Sequence, residues 1–346
     1  MKLRHPLTLE IYEVRPDGTV RVETPEGVEG IFRDDGEWVR GELREADPHM
    51  LGFMAGPQLK RRGPQGTKTI QGLGPAAPPE LSRQNESENG GTREMDLGLA
   101  GRKAIVTAGS RGIGLSIAEL LADQGCDIGL CARGQEALDA ARSNLEARGA
   151  KVYTQSLDVS DGDALESFVQ TAAEELGGLD IFISNASAGG GPGLPAWEHA
   201  FEIDVMGTVR GIGAATPFLT SSEAGSVVVI GSTAALEFLG MPQAYNAMKA
   251  ALISHASDMA QALAPKGVRV NVVSPGPIYF EGGNWEMIKQ AMPAMYESAL
   301  KQCAIGRMGT PEEVARAVVF LASPAASLVT GANLVADGGF TKRTAF

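Results

Sequence analysis

From about residue 100 to the end of the chain, short apolar runs alternate with longer segments in which apolar residues recur every three or four positions. The runs predict buried strands, and the periodic segments predict amphipathic helices. The predicted strands are residues 103–108, 127–131, 151–156, 180–184, 226–231, 268–273 and 333–336. The predicted helices are residues 113–124, 134–148, 161–176, 198–218, 243–264 and 311–322. This alternation predicts an α/β domain with a doubly wound parallel sheet of about seven strands.

The first 60 residues follow a different pattern. Short strand-like segments at 7–12, 19–23, 28–32 and 37–40 are separated by turn signals that contain Pro, Asp and Gly. They predict a small antiparallel β-meander. The apolar residues of 46–59 would either cover this meander or contact a partner. The next segment is rich in Gly, Pro, Ser and Gln, which favours a flexible linker. The predicted organisation is a β-rich domain at 1–59, a linker at 60–96 and the α/β domain at 97–346.

Composition narrows the classes of partner. With 42 acidic and 30 basic residues, the chain has a formal charge of −12, whereas nucleic-acid binding requires a basic patch. No apolar run approaches the roughly 18 residues of a membrane span, and the first residues lack the apolar stretch of a signal peptide. The three cysteines are scattered, which favours a reduced protein, and no histidine has metal-ligand spacing. We therefore expect a cytoplasmic protein with a small-molecule substrate, and no metal, nucleic acid or membrane.

Tyr245 and Lys249 stand four positions apart in a predicted helix, and Ser232 precedes the tyrosine by thirteen residues. Residues i and i+4 share a helix face, so the phenol and the amine are expected side by side. An ammonium favours the deprotonated form of a neighbouring phenol, which suits proton exchange with a carbonyl or an alcohol. This spacing is common in helical chains, where such a tyrosine packs and such a lysine reaches solvent. The catalytic interpretation therefore depends on the neighbouring motifs.

A glycine-rich turn is the first of these motifs. Gly109, Gly112 and Gly114 lie between the strand predicted at 103–108 and the helix predicted at 113–124. Glycines at such a junction let the backbone approach a pyrophosphate, whose charge is met by free N–H groups at the helix N-terminus. A glycine pattern alone is a weak signal, but here the strand and the helix that it requires flank it. The turn predicts a dinucleotide site.

Together these motifs resemble the short-chain dehydrogenase/reductase (SDR) family, in its group of 3-oxoacyl-carrier-protein reductases and related dehydrogenases. The resemblance covers about residues 97–342. It is carried by Thr-Ala-Gly-Ser-Arg-Gly-Ile-Gly at 107–114, Leu-Asp-Val at 157–159, Ser-Asn-Ala-Ser at 184–187, Ser232, Tyr245 with Lys249, Ser-Pro-Gly at 274–276, and Thr-Gly at 330–331 with Asp-Gly-Gly at 337–339. It implies a Rossmann-type fold, hydride transfer between NAD(P) and a ketone or secondary alcohol, and a homotetramer or homodimer assembled through long helices.

The resemblance also implies roles for single residues. Ser232 would hydrogen-bond the substrate oxygen, Tyr245 would exchange its proton, and Lys249 would support the phenol and bind the nicotinamide ribose. Asp204 falls at the fourth catalytic position. The residues predicted to bind the cofactor are Gly109, Ser110, Arg111, Gly112, Ile113, Gly114, Arg133, Asp158, Val159, Asn185, Ala186, Tyr245, Lys249, Pro275, Gly276 and Ile278.

The residues after the second strand of the α/β domain indicate which cofactor is used. A carboxylate there would bind the ribose hydroxyls of NAD and repel a 2′-phosphate, whereas an arginine would accept that phosphate. The sequence has Arg133 at this place, and Arg111 in the glycine turn adds a second cation. NADP is therefore favoured over NAD, with a solvated surface position as the alternative for each arginine.

Three residues depart from the family pattern. Asp204 stands where the family usually has Asn, and an ionised carboxylate only accepts hydrogen bonds. It would hold Lys249 more tightly than an amide does, and so retune or abolish activity. Ala108 and Ser187 replace usual glycines, and Ala108 is expected to change the turn only slightly.

The substrate and the N-terminal domain are left open by the sequence. Residues 279–303 are rich in Met and aromatic residues and lie where the family has a mobile substrate lid. This favours a hydrophobic substrate, such as a 3-oxoacyl, cyclic or steroid-like ketone, although ordinary core packing also explains the stretch. Two alternatives remain: a cofactor-binding regulator or scaffold with weakened catalysis, and an enzyme that its N-terminal domain delivers to a partner. A further alternative is that the N-terminal domain is a dispensable extension without a binding or regulatory role.

Overall fold

The computed structural model describes residues 2–4, 11–33, 37–44, 46, 96–191, 193–238 and 242–342. Residue contacts divide the chain into two units, Met1–Gly90 and Gly91–Phe346. The first contains an antiparallel sheet of five strands, and the second contains a parallel sheet of seven strands. Both sheets that the sequence predicts are thereby confirmed. The segments predicted to cover the meander and to form the linker lie, apart from Ala46 and Asp96, outside the described residues.

The N-terminal sheet is a meander, with its strands side by side in chain order. Its strands are β1 Lys2–Arg4, β2 Ile11–Val14, β3 Val20–Glu23, β4 Glu29–Phe32 and β5 Trp38–Gly41. The hydropathy pattern missed β1, because three residues are too few to show a period of two. It placed the next strand at 7–12, of which the described residues Ile11 and Tyr12 begin β2.

One face of the meander has an apolar cluster of its own. Tyr12, Val20, Val22 and Phe32 are at most 1% exposed. Along β3 the buried valines alternate with Arg21, because successive side chains of a strand point to opposite faces. The Arg21 guanidinium meets carboxylates of the neighbouring strands on the other face. The unit therefore has a small core on one side and a charged ladder on the other.

The second unit is built on a seven-stranded sheet in which all strands are parallel. Its strands are β6 Lys103–Thr107, β7 Asp127–Ala132, β8 Val152–Ser156, β9 Ile181–Ser184, β10 Ser226–Ile230, β11 Arg269–Pro275 and β12 Asn333–Ala336. Their order across the sheet is β12-β11-β10-β9-β6-β7-β8. The order reverses direction between β6 and β9, and this is where doubly wound sheets bind ligands at the carboxyl ends of their strands.

Helices cover both faces of this sheet. They are α1 Gly112–Asp123, α2 Gln135–Ala147, α3 Gly162–Leu176, α4 Gly193–Ala200, α5 Gly207–Leu219, α6 Ala244–Leu263, α7 Asn284–Ala291, α8 Pro293–Gln302 and α9 Pro311–Ala322. The apolar sides of α1, α2 and α9 pack in one buried cluster, and those of α3, α5 and α6 pack in another. None of the described helices combines the length and apolar character needed to cross a bilayer.

One predicted helix differs from the structure in a way that matters for the site. The segment predicted as one helix at 198–218 begins earlier, with α4, and passes through a π-helical turn at Phe201–Met206 before α5 begins. The Gly207 N–H donates to the Glu202 carbonyl, five residues back. A π turn inserts one extra residue and so redirects the side chains within it. Within this turn Ile203 and Asp204 are the buried residues.

Candidate active site

Strand ends bring the predicted site residues to one edge of the parallel sheet. β6 ends before the glycine turn, β9 ends before Asn185, and β10 ends two residues before Ser232. The carboxyl ends of parallel strands lie at the same edge, so residues distant in sequence become neighbours. This edge is the candidate active site.

The glycine turn presents backbone at the N-terminus of α1. Gly112 begins α1 with φ of +55°, a left-handed conformation that favours glycine. A Cβ on Gly109 would overlap the Leu130 side chain, and one on Gly114 would overlap the Ala108 carbonyl. Gly109 therefore lets the turn lie close against the sheet, and Gly114 lets α1 begin close to the turn.

Ala108 has a backbone conformation that favours glycine. Its φ is +51°, and among the described residues it is the one residue other than glycine with positive φ. A left-handed conformation costs a residue with a Cβ about 1 kcal/mol or more. The turn therefore holds a strained residue at this position.

The N-terminus of α1 offers hydrogen-bond donors to an anion. Within the described part of the chain no side chain caps it, and its first turn has no acidic residue. The first N–H groups of a helix have no partner within the helix, and the helix dipole adds partial positive charge there. The exposed Arg111 side chain precedes the first turn. The turn is therefore suited chemically to a phosphate.

Asn185 fastens the end of β9 to the glycine turn. Its Nδ2 donates to the carbonyl oxygens of Thr107 and Ala108, at 3.0 and 3.2 Å. The Thr107 hydroxyl accepts hydrogen bonds from the backbone N–H groups of Asn185 and Ala186. The amide is therefore used to hold two loops together, a role that the sequence did not indicate.

Arg133 and Asp158 follow neighbouring strands, β7 and β8. The Arg133 Nη1 lies 3.9 Å from the Asp158 Oδ2, and the arginine side chain is 72% exposed. The backbone N–H and the hydroxyl of Ser160 donate to Asp158 and hold the pKa of its carboxyl below the usual range. Arg133 is thus a loosely held cation at the edge, next to a carboxylate that stays ionised. Val159 is buried in the cluster beneath.

Lys249 is buried and held from two sides. Its ammonium donates to the Ile230 carbonyl oxygen at 2.9 Å and lies 3.1 Å from the Asp204 carboxylate. It also lies 5.8 Å from the centre of the Tyr245 ring. The side chain is 2% exposed, so it does not reach solvent as an ordinary helix-surface lysine does. The fold therefore places the phenol and the ammonium together, as their spacing predicts.

The two carboxylate oxygens of Asp204 have different partners. Oδ2 accepts the backbone N–H of Ala188 at 2.8 Å. Oδ1 contacts the Lys249 ammonium at 3.1 Å but accepts no hydrogen bond from the described residues, so this contact is an ion pair without hydrogen-bond geometry. The side chain is fully buried. Asp204 therefore contacts the lysine directly and ties it to the loop after β9.

Ser232 lies between the end of β10 and the helix that carries Tyr245. Its side-chain oxygen accepts the backbone N–H of Ala234 at 3.1 Å and caps the short turn Thr233–Ala235. A hydroxyl that accepts one bond can still donate its hydrogen. Tyr245 is partly exposed in the first turn of α6. The two groups are thus available for a bound oxygen atom.

Pro275, Gly276 and Ile278 lie where β11 leaves the sheet. The Gly276 N–H donates to the Ala336 carbonyl of β12, and Ile278 forms an isolated parallel bridge with Gly309. The chain then turns towards the helices α7 and α8. These residues join the sheet edge to the segment that the sequence predicts as a lid.

Comparison with known proteins decides the family. A family model described as enoyl-(acyl carrier protein) reductase matches residues 107–341. Dehydrogenase/reductase SDR family member 4 of Oryctolagus cuniculus is 34% identical over 71% of this chain and 95% of its own length. The chain belongs to the short-chain dehydrogenase/reductase family.

Two further members of this family show how closely the α/β domain follows it. Isoepoxydon dehydrogenase of Penicillium expansum is 38% identical over 73% of this chain and 99% of its own length. The crystal structure of L-sorbose reductase from Gluconobacter frateurii, complexed with NADPH and L-sorbose, has a TM-score of 0.67 and 30% identity. It covers 72% of this chain and 100% of the reductase. This SDR is therefore an oxidoreductase that acts on CH–OH groups with a nicotinamide dinucleotide.

The three cysteines of this SDR are free and buried. Burial raises the pKa of the Cys126 and Cys131 thiols to about 12. A thiol reacts through its thiolate, so both side chains behave as packing residues.

Sequence reasoning missed three contributions to the SDR site. The Ile230 carbonyl positions the lysine, the Ala188 N–H positions Asp204, and Phe280 packs on the glycine turn. The first two are backbone groups and carry no residue signature. Phe280 belonged to the predicted lid, but its contact joins residues 168 positions apart, which no local pattern reveals.

Proposed function

We propose that this SDR is an NADP(H)-dependent oxidoreductase that interconverts a ketone and a secondary alcohol on a hydrophobic small molecule. The observation that carries this proposal is the position of Lys249, buried against Ile230 and Asp204 with its ammonium near the Tyr245 ring. An ammonium held there favours a negative charge on the phenol oxygen. A purely structural lysine would not need to lie beside a tyrosine at the ligand-binding edge of the sheet.

The glycine turn fits the dinucleotide. The backbone at Gly112 has no Cβ, and no side chain of the described residues caps the first N–H groups of α1, which suits them to a phosphate. The residues beside Gly112 in the chain are Ser110, Arg111 and Ile113, and Asn185 contacts the turn. When bound, the cofactor supplies or accepts the hydride. Asp158 with Val159, and Ala186, Pro275, Gly276 and Ile278, complete the proposed binding residues along the strand ends.

The choice of NADP over NAD rests on Arg133. A free guanidinium after the second strand of the sheet suits a 2′-phosphate, because it forms charge-assisted bonds to phosphate oxygens. Its distance of 3.9 Å from Asp158 leaves these donors available. The structure of L-sorbose reductase holds NADPH, which supports the same choice for this chain.

The protein's own groups would manage the proton. Ser232 donates its hydroxyl hydrogen to the substrate oxygen, and Tyr245 gives that oxygen a proton in reduction or removes one in oxidation. Lys249 stabilises the ionised phenol. Asp204 fixes the lysine and offsets part of its charge, so we propose that it sets the pH at which the site works.

The substrate class is proposed from exposed apolar side chains on three segments that start at the site edge. They are Leu194 and Trp197 in α4, Phe238 after Ser232, and Met287 in α7, Met292 between α7 and α8, and Met295 in α8. Exposed apolar patches mark ligand or partner surfaces more often than chance. The relatives include isoepoxydon dehydrogenase and a cis-4-hydroxycyclohexanecarboxylate dehydrogenase. A cyclic ketone or ring alcohol is therefore the favoured substrate.

The test is turnover by the purified full chain with NADPH and a panel of cyclic and 3-oxoacyl ketones. Tyr245→Phe removes the proton donor and is expected to lower kcat by about 10²–10⁴-fold while NADPH still binds. Tyr153→Phe is the matched control, because that hydroxyl contacts Gln155 on β8 and has no proposed role. Equal turnover by Tyr245→Phe and wild type on every ketone would refute the proposal.

The domain organisation and the partners are also proposals. We infer that residues 1–59 form a domain that binds a protein partner, that 60–96 link it to the SDR domain at 97–346, and that SDR domains associate through α5 and α6. The N-terminal unit has an apolar cluster of its own, which supports a separate domain.

A further inference from the structure

Phe280 lies on the part of the glycine turn that the dinucleotide needs. A Cβ built on Gly112 would come within 2.6 Å of the Phe280 ring, so the ring rests directly on this glycine. Gly112 is the first residue of α1. The aromatic ring therefore covers backbone that is otherwise available to a phosphate.

The turn that carries Phe280 is itself closed over this place. The Gly283 N–H donates to the Phe280 carbonyl at 3.0 Å. Arg111 Nη1 donates to the Gly282 carbonyl at 3.3 Å, and the Gly282 N–H donates to Glu286 at 2.7 Å. The cation next to the glycine turn is thus engaged with the chain's own backbone.

The ring does not satisfy the first N–H groups of α1. An aromatic face accepts no ordinary hydrogen bond from an N–H donor. A phosphate would satisfy the same groups and attract Arg111. Ring and phosphate cannot occupy the space above Gly112 together.

We propose that Phe280 is a gate of the dinucleotide site. In the closed arrangement of the 280–283 turn the ring covers Gly112, and in the open arrangement, which the pyrophosphate favours, the ring moves away from this glycine. Arg111 then exchanges the Gly282 carbonyl for a phosphate oxygen. The apparent affinity for the cofactor is reduced by the fraction of molecules in which the ring is in place. This inference rests on the proposed NADP site.

The experiment measures NADPH binding to the full chain by cofactor fluorescence, at equilibrium and in stopped flow. Phe280→Ala is expected to raise the association rate and lower the Kd by roughly threefold or more, because the competing ring is gone. Phe280→Val removes the ring but keeps an apolar side chain. It is also expected to raise the association rate and lower the Kd, but by less than Phe280→Ala does. It also serves if the alanine variant does not fold, which far-UV circular dichroism would show.

Tyr279→Ala is the matched control. The Tyr279 ring packs against Tyr296 and Lys289 within the lid helices, so its loss loosens the lid without uncovering Gly112. We expect wild-type NADPH binding from this variant. An equal gain from Tyr279→Ala would show that general loosening is responsible and would overturn the gate. Unchanged or weaker binding by both Phe280 variants would overturn it as well.

The two proposals fail in different ways. If wild type does not bind NADPH, the proposed cofactor is wrong and the gate falls with it. If wild type binds NADPH and the Phe280 variants bind it no better, only the gate is wrong.

Discussion

At the scale of single residues, the contact of Asp204 with Lys249 bears directly on the proposed proton chemistry. Its carboxylate contacts the Lys249 ammonium directly inside the protein. A charge pair there is neutral as a unit, so the lysine acts on Tyr245 less strongly than an unpaired ammonium would. The geometry thus gives a physical reason for the retuned activity that the sequence suggests.

Asp204→Asn should change the pH dependence of catalysis. Asparagine can still accept the Ala188 N–H, but it leaves the ammonium without a counter-charge. The pH profile of kcat/KM for alcohol oxidation should therefore move to lower pH, because an unpaired ammonium favours negative charge on the phenol oxygen more strongly. The free energy of unfolding should fall by about 1–3 kcal/mol, because a buried cation loses its partner.

The matched control for this change is Asp180→Asn. Asp180 is also a buried acid, but it accepts the Lys103 N–H at the amino end of the sheet. Asp180→Asn should lower the free energy of unfolding and leave the pH dependence of kcat/KM unchanged. An unshifted profile in Asp204→Asn would show that the ion pair does not act on the phenol.

At the scale of elements, α5 is brought close to the sheet by a single glycine. A Cβ on Gly211 would lie 2.6 Å from Cζ of the buried Phe182 ring in β9, whereas one on Gly213 would meet nothing within 4 Å. Both glycines belong to the same helix. The close approach of α5 to the sheet therefore depends on Gly211 and not on Gly213.

Alanine at these two positions should have opposite effects. Gly211→Ala should lower the free energy of unfolding by about 1–3 kcal/mol through overpacking. Gly213→Ala should raise it by up to about 1 kcal/mol, because alanine favours a helix. Denaturant unfolding of both variants decides the matter. Similar losses in both would contradict the packing argument.

α9 begins with a capping box that makes its stability pH-dependent. Glu313 accepts the Thr310 N–H and pairs with Arg307 through both carboxylate oxygens. These contacts, first the Arg307 hydrogen bonds, lower its pKa from 4.5 to about 2. A carboxyl with a lowered pKa in the folded state stabilises the fold above its unfolded pKa, and the contribution is lost as the pH falls from about 4.5 towards 2.

Glu313→Gln should therefore lose stability at neutral pH and converge with wild type in acid. The expected loss at pH 7 is about 0.5–1 kcal/mol, the range of a helix cap on a partly exposed side chain. Thermal unfolding at several values between pH 7 and pH 3 measures the difference. Glu312→Gln lies in the same helical turn but outside the capping box. It should lower the free energy of unfolding by less, and this difference should change little with pH. A constant difference for Glu313→Gln would contradict this account.

At the scale of the whole molecule, the two units have separate apolar clusters. The clusters of the SDR domain draw their residues from 97 onwards, and the N-terminal cluster draws its residues from 12–46. All proposed site residues lie between Gly109 and Ile278. The chemistry should therefore belong to the second unit alone.

Removing residues 1–93 should leave turnover and NADPH binding within about twofold of the full chain, as expected for a domain that folds by itself. If the N-terminal domain binds a partner, only complex formation should be lost. The measurements are steady-state kinetics and sedimentation of both forms. Loss of turnover in the shortened chain would show that the N-terminal unit contributes to the site.

The sequence predicted all seven parallel strands, the helices α1–α3, α5, α6 and α9, and the antiparallel meander, because buried strands and amphipathic helices leave a local hydropathy signal. It did not predict the helices α7 and α8 within residues 279–303. It missed β1, which is too short for a period, and the π turn at Phe201–Met206, which looks like helix to a pattern of 3.6 residues. It also identified the residues of the candidate site through their motifs, but it could not give the distances between them.

What the sequence determined by itself was the family, the doubly wound α/β fold implied by it, and the residue types available for proton transfer and phosphate binding. Tertiary structure alone decided that Asp204 meets Lys249 directly, that the Asn185 amide holds the Thr107 and Ala108 carbonyls, and that Phe280 covers Gly112. The reason is physical. Periodicity records which side of an element is buried, but contacts between strand ends depend on how distant segments converge at one edge of the sheet.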